Sequence, residues 1–209
     1  MNFRDPAAGP SHPEDGEDRD GQAREEWGWV REFQAGDGRG FEQLYRRYAR
    51  RLASFVRRSG GLDVDASEDA VQEIMMRVHR NLAGFRFESR VSTYLYTAAL
   101  RWLRDQRVMR RVERRDVPVE ELAGRATAQD ESEGRELARQ VQGLLGQLAP
   151  DERNVWLLHE TEERSWDEIA ALLECSARNA QLQKEKASRF LRERLALLGY
   201  GEEKTGGGS

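Results

Sequence analysis

Apolar residues recur at helical spacing along most of the chain, and this periodicity is the strongest constraint on its fold. Between residues 41 and 58 the apolar side chains form a single stripe, which consists of Phe41, Leu44, Tyr45, Tyr48, Leu52, Phe55 and Val56. Steps of three and four residues place such a stripe on one face of an α-helix. No segment alternates apolar and polar residues with the period of a strand, so the sequence predicts an all-α fold.

Local start and stop signals divide this pattern into successive helices. Gly36-Asp37-Gly38 ends a first segment that begins at Trp27, and Gly60-Gly61 closes the second helix. Asp65 and Glu68 resemble a capping box at the start of a third helix, and Ser165 with Glu168 form a better one. The later predicted helices start near Val91, Leu137, Pro150, Trp166 and Ala177, the last ending near Leu198 before Gly199.

Two polar stretches set the domain boundaries. Residues 1–26 contain most of the prolines and an acidic run, and we expect a disordered tail there. Residues 113–137 combine proline, glycines and many acids, which indicates a flexible acidic linker. The prediction is therefore two small helical domains, over residues 27–112 and 138–198, with a flexible tail over residues 199–209.

Composition excludes several classes of protein. A net charge of −4 argues against a polyanion binder acting through bulk charge, although the charge is unevenly distributed. The single cysteine, Cys175, rules out an internal disulfide and fits a reducing compartment. No apolar run is long enough to span a bilayer and no signal peptide is visible, so we expect a soluble cytoplasmic protein.

A helix-turn-helix pattern lies near the C-terminus. A capped short helix from Trp166 is followed by a turn of about three residues, and Ser176 is the predicted N-cap of a longer second helix. Glutamine and asparagine can pair with adenine, and arginine or lysine with guanine. The polar side chains at the start of that helix are Arg178, Asn179, Gln181, Gln183 and Lys184. The pattern alone leaves open both DNA binding and a plain helical hairpin.

Aromatic and basic residues are interleaved from Phe85 to Arg115. Aromatic faces stack on unpaired bases and arginines neutralise the backbone, which suits single-stranded nucleic acid better than duplex. The alternative is that the aromatics are core and the arginines a solvated face. We expect Val91, Leu95, Ala99 and Leu103 to be core and Phe85 and Tyr96 to be mainly structural. The loop residues Phe87, Glu88, Ser89 and Arg90 are expected to be exposed and able to form a pocket for a flipped base.

The third helix presents two faces. Val71, Ile74, Val78 and Leu82 form the inward stripe, while another face carries Asp69, Gln72, Glu73 and Met76. An acidic and polar face with one methionine can dock a basic helical partner. A merely solvated face explains the same pattern equally well.

Several runs in the chain resemble the extracytoplasmic-function (ECF) subfamily of bacterial RNA polymerase sigma factors. In the first domain these are Ala35-Gly-Asp-Gly-Arg-Gly-Phe-Glu-Gln-Leu-Tyr-Arg-Arg-Tyr-Ala49, Ser67-Glu-Asp-Ala-Val-Gln-Glu-Ile-Met-Met-Arg-Val-His79 and Phe85-Arg-Phe-Glu-Ser-Arg-Val-Ser-Thr-Tyr-Leu-Tyr96. In the second domain they are Leu148-Ala-Pro-Asp-Glu-Arg153 and Ser165-Trp-Asp-Glu-Ile-Ala170. The resemblance covers roughly residues 27–112 and 138–198.

This resemblance implies a sigma factor that binds RNA polymerase core, melts a −10 promoter element and reads a −35 element. It implies that Asp69, Gln72, Glu73 and Met76 dock on the β′ clamp helices, and that the helix from Ala177 reads the −35 element. The implied −10 contacts are Phe85, Arg86, Phe87, Glu88, Ser89, Arg90, Thr93, Tyr94, Arg101, Arg104 and Arg107. The implied partners are the polymerase β′ clamp helices and β flap, promoter DNA and an anti-sigma factor, with the acidic linker threading toward the active-site cleft.

The sequence departs from the family pattern mainly in the second domain. Glu174 stands at the turn position that glycine usually holds. The run Ala177-Arg-Asn-Ala-Gln-Leu-Gln183 replaces the usual small-Gly-Thr-Val-Lys-Ser-Arg start, which removes basic phosphate contacts. Arg101 stands where asparagine is common. We therefore predict a different or weaker −35 element.

Other functional classes fit the sequence less well. The three histidines are scattered and Cys175 has no ligand cluster around it, so we expect no metal, no cofactor and no enzymatic activity. The alternatives are a helix-turn-helix regulator that acts without polymerase, or a sigma-like protein that binds polymerase without supporting initiation. The acidic tail prompts a further hypothesis, that it inhibits the basic fourth helix.

Overall fold

The computed structural model describes the backbone over residues 13–113 and 133–200, and the side chains over residues 21–109 and 137–200. Within these ranges every regular element is an α-helix, which confirms the all-α prediction. The helices are α1 Pro13–Gln34, α2 Gly38–Gly60, α3 Val64–Leu82, α4 Val91–Glu113, α5 Glu133–Gln147, α6 Pro150–Glu160, α7 Trp166–Leu173 and α8 Ala177–Leu197. None of these helices is long and apolar enough to cross a membrane.

The first helix is much longer than its sequence pattern indicates. Because α1 begins at Pro13, the predicted disordered tail is wrong for residues 13–26, and residues 1–12 lie outside the described part of the chain. The end of this segment is anchored to α2, because Glu26 is buried and accepts a hydrogen bond from the Tyr48 hydroxyl. The segment between the two groups of helices is shorter than the predicted linker, because α4 runs to Glu113 and α5 starts at Glu133. The remainder of that linker, and residues 201–209, are also outside the described residues.

Most helix ends coincide with capping residues that the sequence predicts. Gly61 ends α2 in the left-handed conformation with φ of 64°, as the glycine pair predicts. Ser165 and Glu168 form the predicted capping box of α7, and Ser176 caps α8 through the Asn179 amide. The predicted pairing of Asp65 with Glu68 is wrong, because Asp63 caps α3 by accepting from the Ala66 amide.

Helices α1 to α4 form an N-terminal bundle around one apolar core. Leu44, Leu52, Phe55, Ile74 and Leu82 are essentially inaccessible to solvent there. The core residues predicted on α4, Val91, Leu95, Ala99 and Leu103, are all buried, as is Tyr96.

Helices α5 to α8 form a second, smaller bundle. Helix α8 packs against α5, α6 and α7. Its buried positions are Ala180, Ala187, Leu191 and Leu195, which face Leu157, Leu158 and Ile169 in the shared core. The small alanines let the helix approach its neighbours closely, while residues such as Arg178 and Gln181 are exposed.

The two bundles pack directly on each other through polar contacts. In one group the Ser59 hydroxyl donates to Asn154, and Arg153 Nη1 donates to the Ser59 carbonyl over 2.7 Å. In a second group the Tyr96 hydroxyl donates to Glu162, whose carboxylate also lies 3.3 Å from the Arg51 guanidinium. These contacts join α2 and α4 of the first bundle to α6 and the segment after it.

Arg164 adds a further contact between the bundles. Its Nη1 donates to the Ser92 hydroxyl over 2.9 Å, and its guanidinium lies 4.8 Å from the centre of the Tyr96 ring. The guanidinium therefore covers the N-terminal turn of α4. This matters for function because that turn directly follows the Phe85–Arg90 loop.

Candidate nucleic-acid interface

The polar face predicted on α3 is present, but one of its members is structural. Asp69, Gln72 and Met76 are exposed, with Met76 59% accessible. Glu73 instead accepts hydrogen bonds from Trp102 Nε1 over 2.7 Å and from Arg77 over 2.6 Å. The Trp102 bond is the main reason that the pKa of Glu73 is lowered, followed by the contact with Arg77.

Trp102 is therefore not part of an exposed aromatic surface. Its ring is 6% accessible and ties α4 to α3 through the Glu73 carboxylate. Of the two interpretations of the aromatic residues between Phe85 and Arg115, core packing is therefore the one that applies to Trp102. The sequence could not show this, since the partner lies 29 residues away on another helix.

An open groove of about 500 Å³ continues the α3 face toward α2. Its lining residues are Phe41, Tyr45, Gln72, Met75, Met76, His79 and Arg80. The His79 ring stands edge-on to Phe33 and Phe41, with centroids 4.9 and 4.8 Å away. Periodicity on α3 alone misses Phe41 and Tyr45, because they come from α2. The face is thus broader and more apolar than the sequence indicates.

The Phe85–Arg90 loop contains an aromatic cluster. Phe85 lies 5.3 Å from both Phe87 and Tyr94, measured between ring centroids. Glu88 and Ser89 are exposed, as expected, and Arg86 is exposed as well, whereas Arg90 is half-buried rather than exposed as predicted. Phe87 is half-buried rather than exposed, which corrects the prediction, because it also packs edge-on against Trp27 at 6.0 Å.

Exposed groups on α4 continue from this loop along one side of the helix. Thr93 and Tyr94 are half-buried, and Arg101 and Arg104 are exposed about two and three helical turns further along. Burial raises the pKa of the Tyr94 hydroxyl, and the nearby positive charge of Arg101 opposes that shift. Arg107 is partly buried and its Nε donates to the Leu103 carbonyl over 3.2 Å. The basic stripe is therefore carried mainly by Arg101 and Arg104.

The predicted helix-turn-helix is formed by α7, the turn at 174–176 and α8. Arg178, Asn179 and Gln181 are exposed near the start of α8, as predicted. Leu182, 46% accessible, and Lys186 share that exposed surface and were missed by the sequence analysis, which looked only for polar groups in the first turns.

Two residues predicted on that surface face inward. Lys184 is 14% exposed in its side chain, with Nζ 3.0 Å from Glu160 of α6. The Gln183 Oε1 atom is buried. Hydrogen bonding to His159, followed by the contact with Lys184, lowers the pKa of Glu160 to about 2. Gln183 and Lys184 are thus packing residues rather than available base contacts.

The turn between these helices carries backbone strain that glycine would relieve. Glu174 ends α7 at φ 54° and ψ 43°, in the left-handed region, and is exposed. We expect Glu174→Gly to stabilise the C-terminal bundle by about 0.5–1 kcal/mol, the left-handed penalty less the entropy cost of glycine. Thermal unfolding measures this as a higher midpoint, with Glu185→Gly in the regular part of α8 as a destabilised control. A lower midpoint for Glu174→Gly would contradict the assignment.

Comparisons with known families agree with the division into two bundles. Residues 44–111 match the family described as Sigma-70 region 2, and residues 138–191 match Sigma-70, region 4. The first range spans α2 to α4, and the second spans most of α5 to α8. The first match contains the α3 face and the Phe85–Arg90 loop with α4, and the second contains the helix-turn-helix.

Curated relatives align over most of their length. The ECF RNA polymerase sigma factor SigM of Mycobacterium tuberculosis is 30% identical over 167 residues, which cover 79% of this chain and 81% of SigM. RNA polymerase sigma factor CarQ of Myxococcus xanthus is 30% identical over 169 residues, covering 79% and 95%. The ECF RNA polymerase sigma-E factor of Escherichia coli K12 is 30% identical over 182 residues, covering 80% and 90%.

Solved structures share the fold. The sigma factor RpoE of Bartonella quintana, solved in complex with the anti-sigma factor NepR, superposes with a TM-score of 0.63 at 21% identity, covering 75% of this chain and 97% of RpoE. CnrH, solved with the cytosolic domain of CnrY, has a TM-score of 0.63 at 25% identity, covering 85% and 99%. Two helical bundles of sigma region 2 and region 4 type define a sigma-70-type initiation factor. More specifically, the chain belongs to the ECF RNA polymerase sigma factors, which direct transcription initiation.

Proposed function

We propose that this sigma factor binds its partners through three surfaces, two on the N-terminal bundle and one on the C-terminal bundle. Residues 27–112 bind polymerase core and melt the −10 element, and residues 138–198 read the −35 element. The observation that carries this proposal is the separation of chemistry on the first bundle. Asp69, Gln72 and Met76 are exposed together on α3, whereas Arg101 and Arg104 are exposed on α4 behind the aromatic loop, so the two surfaces carry different side chains.

The α3 face is the proposed docking site for the β′ clamp helices of RNA polymerase. Asp69 supplies negative charge for a basic helical partner, and Met76 and the adjoining groove supply apolar contact area. Such a combination gives orientation through charge and affinity through burial. Glu73 contributes indirectly, since its carboxylate accepts hydrogen bonds from the buried Trp102 and from Arg77 and so ties α3 to α4.

The Phe85–Arg90 loop and α4 form the proposed −10 interface. Exposed Arg86, Glu88 and Ser89 can contact the edges of a flipped base beside the Phe85 and Phe87 rings. Arg101 and Arg104 neutralise the backbone of the strand that leaves this loop. Thr93 and Tyr94 lie between the loop and these arginines. The residues proposed to capture a base and those proposed to bind the backbone therefore form one continuous surface.

The start of α8 is the proposed −35 interface. We infer that Arg178, Asn179 and Gln181 contact base edges in the major groove, with exposed Leu182 beside them as an apolar contact for a thymine methyl. Because Gln183 and Lys184 are engaged in packing, the contact set is smaller than predicted. This supports a −35 element different from the family's usual one.

Substituting the −35 contacts separates DNA reading from polymerase binding. The double variant Arg178→Ala, Gln181→Ala is expected to lose about tenfold or more in preference for its cognate −35 element, since each good base contact provides about 1–3 kcal/mol of discrimination. Binding of polymerase core should be unchanged. Holoenzyme selection from a library randomised at −35 measures both. An unaltered sequence preference would place the reading surface elsewhere on α8.

The remaining functional assignments follow from the family. We propose that the protein acts in the cytoplasm by binding rather than catalysis, with promoter DNA, the polymerase β flap and an anti-sigma factor as further partners. Among the described residues no group of histidine, cysteine, aspartate and glutamate is placed to hold a metal ion. The acidic linker, most of which lies outside the described residues, is proposed to thread toward the polymerase active-site cleft.

Strand opening by reconstituted holoenzyme tests the proposed −10 function. With a promoter fragment selected by the wild-type holoenzyme, thymines in the −10 region should become reactive to permanganate. The double variant Arg101→Ala, Arg104→Ala should reduce this reactivity and flatten its salt dependence, because two phosphate contacts are lost. Wild-type reactivity in the double variant would remove α4 from the proposed interface.

A further inference from the structure

Helix α1 contacts the loop that captures the base in the proposed −10 interface. The side-chain amide of Gln34, at the end of α1, donates toward three backbone carbonyls at the start of that loop. The distances from Nε2 are 3.0 Å to Phe85, 3.2 Å to Ala83 and 3.4 Å to Leu82. These carbonyls lie at and after the C-terminal end of α3, where helix carbonyls lack partners within the helix. Gln34 therefore acts as a cap supplied by another helix.

The same helix also fixes the aromatic tip of the loop. Phe87 adopts φ of 60°, a conformation that a bulky side chain rarely adopts without support. The Trp27 ring packs edge-on against it at 6.0 Å, and the Arg31 guanidinium lies 5.2 Å from the ring centre. Phe87 is thus held between α1 on one side and Phe85 on the other.

Helix α1 is itself firmly attached to the bundle, so it can serve as a rigid support. A Cβ atom on Gly40 would stand 2.0 Å from the Trp29 carbonyl oxygen, which shows how closely α1 and α2 approach. Arg47 of α2 stacks over the Trp29 ring at 4.5 Å. The buried Glu26 accepts from Tyr48 of the same helix.

We propose that Trp27, Arg31 and Gln34 are positioning residues that set the shape of the base-capturing loop, and hence which unpaired base it accepts. This inference rests on the proposed −10 function and adds a selectivity role for α1. Gln34 fixes the path of the chain into the loop, while Trp27 and Arg31 hold Phe87. The exposed groups Arg86, Glu88 and Ser89 are then presented in one defined arrangement.

Base preference, rather than affinity, is the quantity that tests this role. Reconstituted holoenzyme is mixed with single-stranded −10 oligonucleotides that carry each of the four bases at the captured position, and the ratio of dissociation constants is measured. Gln34→Glu keeps the size of the side chain but removes its donors, so its carboxylate would face three carbonyls. We expect the preference ratio to fall about tenfold, with unchanged affinity for polymerase core.

Two further variants separate positioning from general damage. Gln34→Lys restores donors to the carbonyls and should recover most of the preference, and Trp27→Leu should lower it as Gln34→Glu does. Glu32→Gln, an equally small change at an exposed position of α1, is the matched control and should behave as wild type.

The outcomes distinguish this inference from the function on which it rests. Wild-type preference in both Gln34→Glu and Trp27→Leu would overturn the positioning role alone. Loss of core binding in Gln34→Glu, together with loss of base preference, would also overturn it, because the effect would then be global. A wild-type holoenzyme with no base preference would overturn the −10 proposal and this inference together.

Discussion

Asp69→Arg is expected to weaken binding to RNA polymerase core by 100-fold or more. Asp69 is exposed on the α3 face beside Gln72 and Met76. Reversing its charge replaces an attraction to a basic partner with repulsion, and disrupting one partner of a charged interface pair costs about 2–5 kcal/mol. Titration of labelled protein with purified core polymerase measures the dissociation constant directly.

The choice of residue and control makes this test specific. Glu73 is unsuitable, because its substitution would also remove hydrogen bonds to Trp102 and Arg77 and disturb the packing of α3 on α4. Glu193→Arg makes the same charge change at an exposed site on α8 and should leave core affinity near wild type. Core binding by Asp69→Arg at wild-type affinity would contradict the assignment of the α3 face.

Glu162→Ala is expected to separate the two bundles. Glu162 is 8% exposed, accepts a hydrogen bond from the buried Tyr96 hydroxyl and pairs with Arg51. Because the Arg51 side chain is half-exposed, we expect a loss of about 2 kcal/mol, mainly from the unsatisfied Tyr96 hydroxyl. That corresponds to a shift of roughly 30-fold toward an open arrangement.

Energy transfer between dyes on the two bundles measures this opening. Exposed Arg80 and Arg192 can be replaced by cysteines in a Cys175→Ser background. Transfer efficiency should fall in Glu162→Ala while the helical content stays constant. Glu160→Ala, which breaks an ion pair within the C-terminal bundle, is the matched control and should leave transfer unchanged. Equal efficiency in both variants would show that Glu162 does not hold the bundles together.

Separation of the two bundles in Glu162→Ala should also affect DNA binding. In the closed arrangement Arg164 binds Ser92 at the start of α4. Burial opposes ionisation of Glu168 of α7, but its hydrogen bond with the Ser165 backbone, and then the charges of Arg164 and Arg90, lower the pKa of its carboxyl. Arg90 and Ser92 both lie within the proposed −10 interface, which consists of the Phe85–Arg90 loop and α4. We therefore expect free Glu162→Ala protein to bind single-stranded −10 DNA more tightly than the wild type.

The features that the sequence predicts best are those encoded locally. The Ser165–Glu168 capping box, the Ser176 cap and the Gly61 stop each depend on neighbouring residues, so they can be recognised without tertiary information. The buried stripe of α4 follows from helical spacing in the same way. The family resemblance rests on such contiguous runs, and the family assignment confirms it.

The features that sequence analysis missed depend on contacts between helices. Lys184 is drawn inward by Glu160, and Glu73 is engaged by Trp102 although its side chain stays 42% exposed; both partners lie on other helices. The helical segment over residues 13–26 has no regular apolar stripe in sequence, yet its end is anchored by the Glu26–Tyr48 bond. Helical spacing cannot reveal such pairings, because it describes one helix at a time.

Run-off transcription with purified core polymerase tests the central claim most directly. Core enzyme supplied with this protein and a promoter selected by the holoenzyme should give a transcript of defined length. Core alone should give none, and core with Asp69→Arg should give much less transcript than the wild type at the same protein concentration. If the wild-type protein is retained by core yet yields no transcript, the chain is a sigma-like protein that does not support initiation. If it binds duplex DNA but is not retained by core, it is a stand-alone helix-turn-helix regulator, and the account is wrong.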